Sequence, residues 1–126
     1  MTAKIFLTLA GIFGALGVAI GAFGAHALEG KLDERAIAIF ETGARYQLVH
    51  AVALAIVALL ALQSGDSDSS TPLTMAGWSY CVGILLFSGS LYALALSGVK
   101  ILGAIAPLGG TAFIVGWIAL AIFPWR

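Results

Sequence analysis

The 126-residue chain is 61% hydrophobic and 10% charged, with six basic and six acidic residues and a formal net charge of zero. Its mean hydropathy is +1.07. Globular domains carry roughly 45–50% apolar and about 25% charged residues, so a soluble domain is excluded. The balanced charge indicates neither a nucleic-acid partner nor a strong attraction to anionic lipid.

Four apolar runs, each about 20 residues or more, can cross a ~30 Å hydrocarbon core. They predict one all-α domain over residues 1–126: a polytopic, four-transmembrane-helix bundle with a short interfacial amphipathic helical segment before the second helix. The first helix is placed at about 5–28. Lys4 followed by an apolar stretch and Ala25-His26-Ala27 imitates a secretory signal, but Ile5 to Ala25 is longer than the ~7–15-residue core of one. On this helix Ala10, Gly14, Gly17, Gly21 and Gly24 form one stripe without bulky side chains. Such a stripe lets a second helix approach closely, which is what associates helices in lipid. A second small-residue stripe, Ala15, Ala19 and Ala22, ends at His26 and predicts that this histidine faces protein.

Glu29 to Arg35 reads as a hydrated connection, with Asp33 as the N-cap of the next helical segment. That segment, Ala36 to Arg45, is amphipathic and suits the interface. Glu41 and Arg45, spaced i,i+4, suit an interfacial ion pair, and Gly43 offers a bend before the second helix at about 43–62. Residues 64–72 form a polar loop in which Asp66-x-Asp68 lacks further metal ligands. The third helix is placed at about 73–96 and the fourth at about 101–123. Trp78, Tyr80 and Trp125 suit an aromatic belt on one membrane face.

Lys31, Arg35, Arg45 and Lys100 on one side outnumber Lys4 and Arg126 on the other, which predicts both termini outside the cytoplasm. The two helical hairpins show no internal repeat of the inverted-transporter kind.

Counted by depth, the polar groups gather toward the side of the first loop. His26 stands near the end of the first helix, and Tyr46, Gln47 and His50 share a face of the second. Ser88, Ser90 and Tyr92 come from the third; Pro107, Gly109, Gly110 and Thr111 come from the fourth. Pro107 withholds a donor from the carbonyl of Gly103, and a freed backbone group at membrane depth must find another partner. The expected result is a polar layer across all four helices. Each histidine reads either as a neutral imidazole fixing helix register or as a haem or metal ligand or proton acceptor.

No Asp, Glu, Lys or Arg interrupts 51–62, 73–99 or 101–125, so a carboxylate-coupled transporter and a catalytic triad are both disfavoured. Cys81 is alone and near the opposite face, so no catalytic residue and no metal site is assigned.

The blocks Gly21-Ala22-Phe23-Gly24-Ala25-His26, Tyr46-Gln47-x-x-His50-Ala51, Phe87-Ser88-Gly89-Ser90-Leu91-Tyr92, Ala106-Pro107-Leu108-Gly109-Gly110 and Gly116-Trp117 closely resemble those of the YwdK/YgdD family. These are small bacterial inner-membrane proteins classed as a domain of unknown function. The resemblance covers essentially the whole chain. It implies a four-helix, multi-pass protein of the cytoplasmic (inner) membrane and implies no activity.

The leading expectation is a non-enzymatic bundle whose partners are the lipid bilayer and a homo-oligomer or larger membrane complex. A binder of haem, quinone or lipid at His26 and His50 is the second reading. A minimal oligomeric channel or exporter is the third.

Overall fold

In a computed structural model describing residues 2–65 and 70–126, the secondary structure is entirely helical. The helices are α1 (Thr2–Ala27), α2 (Glu34–Gln63), α3 (Thr71–Gly83), α4 (Gly89–Ser97) and α5 (Leu102–Ile122). A π-helical turn, Ile84–Ser88, joins α3 to α4, and a 3-10 turn, Phe123–Trp125, extends α5. With α3 to α4 taken as one span, Thr71–Ser97, four helices are long and apolar enough to cross a membrane. The Asp66-x-Asp68 pair falls at 66–69, outside the described residues.

The boundaries obey local chemistry. Asp33 caps α2 as expected: its Oδ1 accepts from the Ala36 amide at 2.7 Å, satisfying a first-turn donor that the helix cannot. Ser70 caps α3 in the same way, with Pro72 in its first turn. Gly98 ends α4 at φ 73°, where a residue without Cβ is favoured.

α2 is one helix of 30 residues, about 45 Å at 1.5 Å per residue. The amphipathic segment is therefore its opening turns, reaching beyond the hydrocarbon, and the helix continues through Gly43 without a break. Gly43 has another use: a Cβ there would lie 2.8 Å from Cε1 of Tyr92, so the tyrosine ring occupies the space a side chain would take.

α2 is the central element, with α1 on one side and α3, the π-turn and α4 on the other. The glycine stripe of α1 faces it in antiparallel register: Gly24 meets Phe40, Gly21 meets Ala44, Gly17 meets Leu48 and Gly14 meets Ala51. α5 packs on α3, the π-turn and α4, while α2 and α5 meet through large side chains.

Elsewhere glycines serve as notches for rings. Phe6 fills the space at Gly77, Phe113 that at Gly83 and Tyr80 that at Gly116; at Gly109 the backbone of Phe87 itself takes the place of a side chain. Tyr80 is accordingly 0% exposed. This corrects its assignment to an aromatic belt, since Gly116 on α5 opens a socket that the local sequence around Tyr80 does not reveal. Trp78 and Trp125 do reach the surface.

Candidate functional site

Most buried polar side chains of the spans, those of Gln47, His50 and Ser88, converge on α2. Gln47 and His50 are one helical turn apart on the same face, both 4% exposed. Gln47 is used at both ends of its amide: Nε2 donates to the Phe13 carbonyl of α1 at 2.8 Å, and Oε1 accepts from the Tyr92 hydroxyl of α4 at 2.7 Å. Ser88, fully buried in the π-turn, donates its hydroxyl to the Gly43 carbonyl at 2.7 Å.

His50 is likewise engaged at both nitrogens. Nδ1 lies 2.7 Å from the Tyr46 carbonyl, and the indole Nε1 of Trp117 lies 3.0 Å from Nε2. An indole N–H can only donate, so Nε2 accepts and the proton of the neutral ring sits on Nδ1, donated to Tyr46. The tautomer is thus set by its two partners. Phe113 stacks on the imidazole with ring centroids 3.6 Å apart, and Tyr80 stands 5.5 Å away.

In a lipid-embedded bundle each of these bonds joins helices that apolar burial alone would leave free to slide. Gln47 ties α2 to α1 and α4, Ser88 ties it to the π-turn, and His50 ties it to α5. The layer is closed: the amide, the imidazole and the serine hydroxyl each have protein partners. Among the described residues, the Tyr80 hydroxyl is the buried side-chain polar atom left without one.

Residues 20–110 match the family described as Protein of unknown function (DUF423). The chain is 46% identical over 119 residues to the UPF0382 membrane protein YwdK of Bacillus subtilis, covering 94% of each protein. It is 45% identical over 116 residues to a UPF0382 membrane protein of Haemophilus influenzae, covering 92% of this chain and 90% of the relative. The chain belongs to the UPF0382 family. No solved structure matches it. Four apolar spans and these relatives make it, like other UPF0382 proteins, a small multi-pass membrane protein.

Within this UPF0382 chain the site residues expected from sequence divide into two groups. Tyr46, Gln47, His50, Ser88 and Tyr92 come together around α2. Ser90 stays local, donating to the Phe87 carbonyl at 3.0 Å. His26 and Pro107 do not join them, since both are exposed. Residues two apart on a helix point about 200° from one another. Gly24 against Phe40 therefore turns His26 outward, and Gly109 against Phe87 turns Pro107 outward.

Gly24 level with Phe40 and Gly14 level with Ala51 also set His26 ten or more residues along the hairpin from His50, roughly 15 Å at 1.5 Å per residue. Two axial imidazoles of one haem must face each other across a single iron, so His26 and His50 of one subunit cannot share one. Glu41 and Arg45 are both exposed, and among the described residues no ion pair joins them. A pair of long solvated side chains gains too little to be held together.

Trp117, Phe113 and Tyr80 also belong to the layer, and sequence reasoning missed them. The available signal was the i, i+3, i+4 spacing of Phe113, Gly116 and Trp117, which puts an indole donor beside a ring stack on one face of α5.

Proposed function

We propose that this UPF0382 chain is a non-enzymatic helical-bundle component of the bacterial inner membrane whose His50-centred layer fixes helix register. It acts by packing against a membrane partner, a second copy or a subunit of a larger complex. The observation that carries this reading is the engagement of both His50 nitrogens, by the Tyr46 carbonyl and the Trp117 indole. A metal- or haem-ligating histidine keeps one nitrogen for its ligand, and a proton-relaying one pairs that nitrogen with a group that exchanges its proton, which the indole of Trp117 does not.

The packing partner is assigned to α1, the least enclosed of the spans. Its glycine stripe is spent on α2, while Ala15, Ala19 and Ala22 remain exposed on the other side. A channel within one subunit is disfavoured because Phe6, Leu54, Val57, Leu73 and Tyr80 fill the interior.

Native mass spectrometry of protein extracted in mild detergent tests the proposal. The expected spectrum shows the chain alone or in a defined assembly, without haem or quinone. A stoichiometric haem- or quinone-sized mass lost on replacing His50 would overturn it in favour of a redox-ligand site.

A further inference from the structure

A cleft of about 760 Å³ opens between the start of α2 and the α4–α5 turn. Its charged walls come from two distant parts of the chain: Lys31 and Arg35 on one side and Lys100 on the other, with Asp33 between. Asp33 is already committed, its Oδ1 2.7 Å from the Ala36 amide as the α2 cap, so three cations face the cleft against one carboxylate turned to a helix end. The same rim holds the N-terminal ends of α2 and α5 and the C-terminal end of α4, whose peptide dipoles carry opposite partial charges, so the sign of the cleft rests on its three cations.

Apolar side chains complete the lining, Leu32 between the rim residues Lys31 and Asp33, Ile39 one turn into α2 from Arg35, and Leu94 on α4. The cleft lies where the spans end, at headgroup depth. Water takes up about 30 Å³ in the liquid, so the volume far exceeds that of one phosphate ion.

We infer that this cleft is a binding site for an anionic phospholipid, with the headgroup phosphate held among Lys31, Arg35 and Lys100 and the first acyl carbons lying on Leu32, Ile39 and Leu94. Three cations over an apolar wall is the complement of an anionic amphiphile, whereas a soluble anion would leave the apolar wall unused. Basic pockets between transmembrane helices recognise lipid headgroups in this way. The neutral total charge of the chain conceals the site because the acidic residues outside it, Glu29, Glu34 and Glu41 among them, cancel the sum without entering the cleft. The site is independent of the His50 layer and of the oligomer reading.

The test is native mass spectrometry of the full chain released from nanodiscs of equal parts phosphatidylglycerol and phosphatidylcholine. The expected result is preferential retention of phosphatidylglycerol, falling about fivefold for each cation removed in the series Lys31→Gln, Arg35→Gln, Lys100→Gln. The charge-preserving pair Lys31→Arg and Lys100→Arg should retain it. Lys4→Gln with Arg126→Gln, on the opposite face, should also retain it. Equal retention of the two lipids by the unaltered protein would overturn the assignment, with no dependence on any variant folding. Undiminished retention by a folded triple variant would do the same. Inorganic phosphate binding the lipid-free protein as tightly as phosphatidylglycerol does would overturn the lipid assignment in favour of a soluble-anion site.

Discussion

The α1–α2 contact and the α2–α5 seam solve the same problem by opposite means. α1 approaches α2 along a run of glycines that meet mostly aliphatic side chains, and the side-chain hydrogen bond between them runs from Gln47 to Phe13. α2 and α5 keep their backbones apart and are joined by rings: Phe113 on His50, Trp117 donating to His50, Tyr46 6.3 Å from Phe113. In lipid neither contact can rely on apolar burial. The first depends on absent side chains, the second on polar atoms carried by large ones. The two regions should therefore fail differently when altered.

The largest effect is expected where a glycine admits backbone rather than a side chain. A Cβ at Gly109 would strike the main chain of Phe87, which cannot rotate away. Gly109→Ala should cost about 3 kcal/mol, the upper end of ordinary overpacking, in reversible denaturation from detergent micelles. Gly11→Ala is the matched control, since nothing lies within 4 Å of its added methyl. Equal stability of the two variants would mean that α5 and the π-turn are not in close contact.

Next in size is the polar seam. Trp117→Phe keeps a ring beside Tyr80 and His50 but removes the N–H that Nε2 accepts. Leaving that acceptor unpaired inside the bundle should cost about 1 kcal/mol, since hydrogen bonds within membrane bundles contribute less than their vacuum strength suggests. A double-mutant cycle with His50→Phe separates this bond from lost packing. Strictly additive losses would show that the bond contributes nothing, and the register-lock reading of His50 would lose its support.

How much of the molecule is legible in its sequence divides along the same line. Long apolar runs announce spans, and the spacing of Gly14, Gly17, Gly21 and Gly24 announces a close contact, because both are properties of one helix. The α2 members of the layer are legible too, since Tyr46, Gln47 and His50 share a face of one helix. The sockets at Gly43 and around Tyr80 are hidden for a common reason: a glycine and its ring sit on different helices, and local sequence shows neither a socket nor its occupant. His26 stays out of the α2 layer because α1 carries two small-residue stripes and only one can face α2; once Gly24 takes Phe40, the geometry of the helix decides the rest. The basic cleft is hidden by the sum over charges, which carries no information about where they stand.

The smallest predicted effect concerns the glycine stripe itself, whose members are not equivalent. At Gly17 an added Cβ would stand 2.8 Å from Cδ2 of Leu48, the far end of a flexible side chain, so Gly17→Ala should cost about 1 kcal/mol as the leucine turns aside. At Gly21 the nearest atom is the Ala44 Cβ at 3.6 Å, an ordinary contact distance. Gly21→Ala should therefore leave stability unchanged or raise it by up to about 1 kcal/mol, since alanine also restricts the unfolded chain. Detergent denaturation of the two single variants distinguishes the possibilities. If Gly21→Ala is as harmful as Gly17→Ala, the helices are closer than this register allows and the whole stripe works by close backbone approach. If only Gly17→Ala is harmful, the α1–α2 contact also works by notch and occupant, as Phe40 at Gly24 already does, and its difference from the α2–α5 seam reduces to the polar atoms that the seam's rings carry.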